Sequence, residues 1–244
     1  MFAIYWIYYL LGIVMIPGII LGIWAQSKVY TTFNKYNKVE SKQGKTAKEV
    51  ARFMLDAGGC YDTKIQPIRG ELTDNFNPTT NTVSLSQTVY DNNTVGAIGV
   101  TAHEIGHVFQ HREKYGPIKI RKVLVPVINF SGWLVWPLII VGIILEAVSY
   151  SVNNTASNVL IGIGIGLYAL NILFCLITLP IELNASKRAY KMLTATGTMD
   201  TEEAEGVKQV LNAAAWTYVA ALVTSVLSLL RLILFVFMMR GDRK

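Results

Sequence analysis

Histidine is scarce in this 244-residue chain: there are three, and all fall within TAHEIGHVFQH, residues 101–111. Cysteine is scarcer still, with Cys60 in a polar segment and Cys175 inside an apolar run. One would lie in water and the other in lipid or a bundle core, which excludes an oxidised framework joining them. Charge is missing over long distances. No Asp, Glu, Lys or Arg occurs in residues 2–24, 123–145, 158–181 or 209–230, and the last apolar run continues to Met239 with Arg231 alone interrupting it. Those gaps exclude an ordinary soluble domain, as does a composition of 52% hydrophobic and 16% charged residues.

Each charge-free run reaches the roughly 20 residues that a helix needs to cross a hydrocarbon core of about 30 Å. The sequence therefore predicts a mostly α, multi-pass membrane protein with transmembrane helices at 1–24, 123–148, 158–181 and 209–239. The chain starts Met1-Phe2-Ala3-Ile4 without the basic residues that open a signal peptide, so the first run reads as a retained anchor. Two larger polar stretches, 25–122 and 182–208, fall on one side of the membrane by crossing parity, and the short loop 149–157 falls on the other with the tail 240–244. The larger stretches carry fourteen and four Lys and Arg, the short loop none and the tail three. Basic segments stay in the cytoplasm, so both polar stretches are expected inside the cell and both termini outside. The net charge of +6 follows from the same asymmetry and suits an anionic inner leaflet. No aromatic interleaving accompanies the basic residues, and nucleic acid is not an expected partner.

Local signals place elements within 25–122. TAKEVARFMLDAGG reads as a helix, with Thr46 as N-cap, Glu49 three residues on, and Gly58 to stop it. TVSLS, 82–86, alternates like a strand, and such a strand can pair with an extended peptide. A helix is expected from about Asn93 through the histidines to Tyr115, where YGP ends it.

On that helix His103 and His107 are four residues apart and share a face. Two imidazoles at that spacing can hold one zinc ion. Glu104 is rotated by roughly 100° from His103, where it is better placed to reach a water than to ligate. That is the His-Glu-x-x-His pattern of zinc peptidases: two ligands and a general base. The competing reading is a surface helix with scattered histidines, or a metal staple without catalysis. Small residues Gly96, Ala97, Gly99, Ala102 and Gly106 allow neighbouring elements to approach this helix closely. His111 is about 12 Å further along the axis than His103, too far to share the ion, and reads as a polar residue at the helix end.

Catalytic zinc sites commonly have three protein ligands. With no histidine left, the third should be a carboxylate, and sixteen acidic residues compete. Glu182 has context: it follows directly on the third apolar run, on the same side as the histidines, in LPIELNASKRAYKMLTATG. Read as a helix, that segment places Glu182, Ser186, Ala189 and Leu193 on one face and closes at Gly197.

The same segment carries a resemblance. Glutamate-ligand zinc peptidases of the HtpX type follow their His-Glu-x-x-His with Glu-x-x-Ala-Asp and then a spaced Ala, Leu and Gly. Glu182, Ala185, Ser186, Ala189, Leu193 and Gly197 keep that register. The chain is closer still to the YugP-like family of bacterial membrane zinc metallopeptidases. It shares with them WAQSKVYTTFNKY, AHEIGHVFQH, TLPIELNASKRA and AAAWTYVAAL followed by an arginine, from about residue 18 to 235. The resemblance implies a membrane-bound neutral zinc peptidase with a zincin-like α+β catalytic part and one zinc per chain. By motif position His103, His107 and Glu182 are its ligands and Glu104 its base. Ser186 stands where the HtpX pattern has the aspartate that backs a ligand histidine; Asn184 is a second candidate for that contact. Tyr218, Arg188 and Arg231 are candidates for the donor that holds the oxyanion. The expected substrates are protein or peptide segments in or beside the membrane. The alternative function is a non-catalytic metal-binding membrane scaffold or transporter, against which the nearly bare apolar runs speak.

Three other features tempt. GIGIG, 162–166, resembles a phosphate loop, but within an apolar run Gly162 and Gly166 form Gly-x-x-x-Gly, a helix-packing surface. Arg231 is either functional or snorkels to a head group. Glu146 is expected at the outer membrane interface.

Overall fold

The computed structural model describes residues 11–148 and 155–241. In chain order its elements are α1 (Ile16–Tyr36), α2 (Ala47–Ala57), β1 (Lys64–Ile68), β2 (Asn75–Asn77), β3 (Thr82–Ser86), α3 (Val95–Arg112), α4 (Gly116–Val148), α5 (Thr155–Ala195) and α6 (Thr201–Gly241). By length and composition four helices can cross a membrane: Leu11–Tyr36, Gly116–Glu146, Thr155–Ala195 and Thr201–Met238. The expected loop at 149–157 lies mostly outside the described residues.

The long helices run past the charge-free stretches that predicted them. α5 continues through Glu182 to Ala195, because ELNASKRAYKMLTA contains nothing that breaks a helix. Gly197, at φ +62°, then turns the chain, and α6 starts at Thr201. The segment 182–208 is therefore not a helix of its own but the end of one long helix, a turn and the start of the next.

The chain forms two compact units. One, the helical unit, gathers Met1–Ile23, Ile120–Thr178 and Tyr218–Lys244; the other, the mixed unit, gathers Trp24–Lys119 and Leu179–Thr217. In the helical unit a small cluster of Val135, Ile139 and Leu232 is buried, while Trp133 and Phe130 are largely exposed. The glycines that pack α4 against α5 are Gly142 and Gly164. A Cβ on either would lie 2.7 Å from a side-chain carbon of Ile161 or Ile139 respectively. A Cβ at Gly162 or Gly166 would meet nothing within 4 Å, so the expected Gly-x-x-x-Gly surface is not the one used. Gly164 is two residues on, about 200° round the helix, and that opposite face meets α4. Glu146 is buried against the protein, and its carboxylate accepts the Ser157 hydroxyl at 3.1 Å.

The mixed unit holds the larger core, with Phe33, Met54, Leu85, Ile98, Ile105 and Leu193 all buried. Its sheet has the order β1-β3-β2, with β1 parallel and β2 antiparallel to the central β3. β3 is thus paired on both sides over Thr82–Ser84, which corrects the expectation that it takes up substrate; edge positions belong to β1 and β2. α2 starts as its sequence predicts, the Glu49 carboxylate accepting from both the backbone N–H and the hydroxyl of Thr46 at 2.8 Å. It ends at Ala57 with Gly58 as C-cap, as expected, and Gly59 then takes the left-handed conformation at φ +69°. Gly58 is small for another reason: a Cβ there would lie 2.2 Å from the ring of Phe109.

Candidate metal centre

α3 carries the two ligand-type histidines. Thr94 caps it, its side chain accepting the Ala97 N–H at 3.3 Å. The small residues along it set three close approaches. A Cβ at Gly96 would lie 3.0 Å from the backbone N of Asn37, just past α1, and one at Gly99 would lie 3.4 Å from Val207 on α6. The tightest is Gly106, whose Cβ would lie 2.4 Å from the carbonyl oxygen of Ala185 on α5. This near-backbone crossing carries Glu182, one turn before Ala185, to the histidine face of α3.

There the side chains converge. Nε2 of His103 and Nε2 of His107 each lie 3.2 Å from Oε2 of Glu182. The ligand-type atoms of these three residues all fall within 4.8 Å of one another. The ring nitrogens that face away are occupied. Nδ1 of His103 is 3.2 Å from Oγ of Ser186, and Nδ1 of His107 is 3.0 Å from Oε1 of Gln110. Gln110 uses its amide N–H groups elsewhere, donating to Ile181 O at 2.7 Å and to Asn184 Oδ1 at 2.9 Å. Its oxygen therefore accepts from His107 Nδ1–H, which leaves the lone pair on Nε2.

This donor set fits zinc. Lone pairs on imidazole nitrogens facing a carboxylate oxygen need a cation among them, either a proton or a metal. A tetrahedral ion with bonds of about 2.0–2.1 Å separates neighbouring ligand atoms by roughly 3.3 Å, close to the spacing found here. The charge balance agrees. Burial works to lower the His107 pKa, yet the adjacent Glu182 carboxylate outweighs it and holds the imidazole above its ordinary value. The site thus attracts positive charge.

Glu104 is buried beside this cluster and accepts no hydrogen bond among the described residues. Burial pushes its carboxyl up, and His103 and His107 offset that only in part, while Asp74 and Glu182 add repulsion. A desolvated carboxylate with raised proton affinity suits a group that must pick up a proton and release it.

The other sequence candidates separate. Ser186 is at a histidine, as expected. Asn184 is not; it backs Gln110. Arg188 is six residues beyond Glu182, about 240° round α5. Its guanidinium is engaged by Glu113 at 2.6 Å and Asn184 at 2.7 Å, not aimed at the cluster. Tyr218 and Arg231 lie in the stretch of α6 assigned to the helical unit. His111 is exposed at the end of α3, edge-on to Phe76. Two contributors went unread. Gln110 sits at i+3 from His107 on the same helix, a spacing that could have drawn notice. Asp74 accepts the Ser86 backbone N–H at 2.7 Å and its hydroxyl at 3.0 Å, tying the turn around Leu72, at φ +51°, to the end of β3. It closes LTD, 72–74, a stretch shared with the YugP-like family that by itself points to no role.

A family model described as "putative neutral zinc metallopeptidase" matches residues 11–237. A protein of Bacillus subtilis (strain 168) described as "putative membrane protease YugP" is 42% identical over 214 residues, covering 88% of this chain and 91% of its own length. No solved structure matches. The chain belongs to the family of putative neutral zinc metallopeptidases.

Proposed function

We propose that this protein is a membrane-embedded, zinc-dependent endopeptidase with a zincin-like α+β catalytic part, in which His103, His107 and Glu182 hold one zinc ion. The observation that carries the reading is the convergence of both Nε2 atoms on a single carboxylate oxygen, each ring backed at Nδ1 by a neutral polar side chain. When bound, zinc polarises a peptide carbonyl and acidifies water. Glu104 accepts a proton from the attacking water and returns it to the departing amine. Its burial keeps that proton transfer away from bulk solvent. Ser186 and Gln110 hold the imidazoles in the ligating tautomer.

The site is assigned to the cytosolic membrane surface, with both termini outside and substrates drawn from membrane or juxtamembrane segments. The fourteen and four basic residues of 25–122 and 182–208 support this orientation. Trp24, at the end of the first apolar run, meets Trp216 edge to face, with Lys28 over both rings, a cluster of the kind found at a membrane interface on either side. The test pairs two variants. Glu104→Gln retains one zinc per chain and loses about 10²–10⁴-fold in cleavage of an unfolded protein substrate, whereas Glu182→Ala loses the metal. Full proteolysis by Glu104→Gln ends this reading. One zinc per chain with no chelator-sensitive cleavage in the parent protein favours the metal-binding scaffold.

A further inference from the structure

On the mixed unit a cavity of about 760 Å³ opens between the end of α3 and the last turns of α5. That is the size of a small-molecule site. Its apolar part is formed by Phe109 and Met192, and four cations line it: Arg112, Lys187, Arg188 and Lys191. The lining holds one acid, Glu113, and it is spent on Arg188. Lys187 and Lys191, both exposed, have no carboxylate partner among the described residues. An apolar floor under unneutralised cations is complementary to an amphiphile with an anionic head.

The chain position selects which amphiphile. Lys187 and Lys191 follow the charge-free run that ends at Ile181 by six and ten residues. At 1.5 Å per residue that is about 9 and 15 Å along α5, from which a lysine side chain can reach back to the head-group layer. We propose that this cavity binds an anionic phospholipid of the inner leaflet, its phosphate on Lys187, Lys191 and Arg112 and the start of its acyl chain on Phe109 and Met192. Basic pockets beside membrane helices commonly take such head groups. The inference rests on the reading of the chain as membrane-spanning and goes beyond catalysis. The cavity is also wired to the metal centre: Arg188 donates to Asn184, Asn184 accepts from Gln110, and Gln110 accepts from His107.

The test uses the full-length protein, delipidated in a neutral detergent, with bound lipid read by native mass spectrometry and zinc measured in the same samples. Dioctanoyl phosphatidylglycerol is expected to bind in one tight copy, and dioctanoyl phosphatidylcholine and glycerol 3-phosphate at least tenfold more weakly. Lys187→Gln/Lys191→Gln should weaken phosphatidylglycerol by roughly 30-fold, and Met192→Glu should weaken it independently, with zinc retained in both. Phosphatidylglycerol binding unchanged in the double variant, or phosphatidylcholine bound as tightly, overturns the proposal. Glycerol 3-phosphate bound as tightly reassigns the cavity to soluble phosphates, and displacement of the lipid by an equimolar acidic decapeptide reassigns it to protein; either overturns it. Loss of zinc from the parent protein would strike the metal reading and leave this one standing.

Discussion

The two units of this molecule use apolar surface in opposite ways. In the mixed unit Val50, Leu55, Val83 and Ile98 are essentially closed to solvent, and the surface outside is charged. In the helical unit the buried cluster is small, and large side chains point outward: Trp133 is 85% exposed and Phe130 67%. The hydrophobic effect that closes the first from within would drive the second to aggregate in water, unless the solvent is itself apolar. One unit closes a large apolar core, and the other leaves most of its large apolar side chains outside. The metal donors sit in the unit that can hold them rigidly, because only a packed core fixes side chains to the tolerance that a tetrahedral ion requires.

That contrast can be broken from either side. The largest effect is expected from Phe130→Asp, which should cost about 3 kcal/mol at a lipid-facing site and reduce membrane insertion, while Phe130→Leu should be silent. Equal yields of both variants in membrane fractions would mean that this face does not meet lipid. Next, Gly106→Ala should destabilise the mixed unit by about 1–3 kcal/mol, since its Cβ meets the backbone of Ala185 rather than a movable side chain. Gly162→Ala in the helical unit should leave the thermal midpoint unchanged. Ser186→Ala and Gln110→Met should each weaken zinc by about 10–100-fold in chelator competition without unfolding the protein.

The smallest effect is one of pH. Zinc binding displaces the proton that the Glu182 carboxylate favours on His107. Because the metal-free His107 pKa is raised above 6.5, affinity should fall as pH drops through a window that begins above the ordinary histidine range. Zinc titrations at several pH values check the sign; an onset below pH 6 would contradict the metal-free geometry. Orientation needs a different probe from the native thiol, since Cys60 is buried. Tyr61→Cys, at a site 75% exposed, should be blocked by membrane-permeant but not by impermeant reagents in intact cells.

Much of this could be read before any coordinates. Four charge-free runs announce long apolar helices because the length of a hydrocarbon core is set by the bilayer, not by the protein. His103, Glu104 and His107 lie on one turn of helix, so their mutual geometry follows from 3.6 residues per turn. Glu182 was legible by register in a resembling family, because its relation to His103 spans nearly eighty residues and no periodicity carries that far.

Other features needed the tertiary structure. Arg188 had the right charge for an oxyanion donor, yet Glu113 and Asn184 hold it on another face of α5. Gln110 went unread in the sequence, and its side-chain oxygen meets Nδ1 of His107 at 3.0 Å. Gly162 and Gly166 had the right spacing for packing, and Gly142 and Gly164 do it instead. In each case the deciding contact lies between helices, and a one-dimensional pattern fixes which residues share a face but not which face meets a neighbour.

By itself, then, the chain of residues determined that α3 presents two imidazoles and a carboxylate, and that four helices are long and apolar enough for a bilayer. Only the folded molecule decided that Gly106 and Ala185 let α3 and α5 touch backbone to backbone, and so which of sixteen acids arrives at the histidines. Local geometry is written in covalent spacing, whereas long-range proximity depends on how side-chain volumes fill the space between elements.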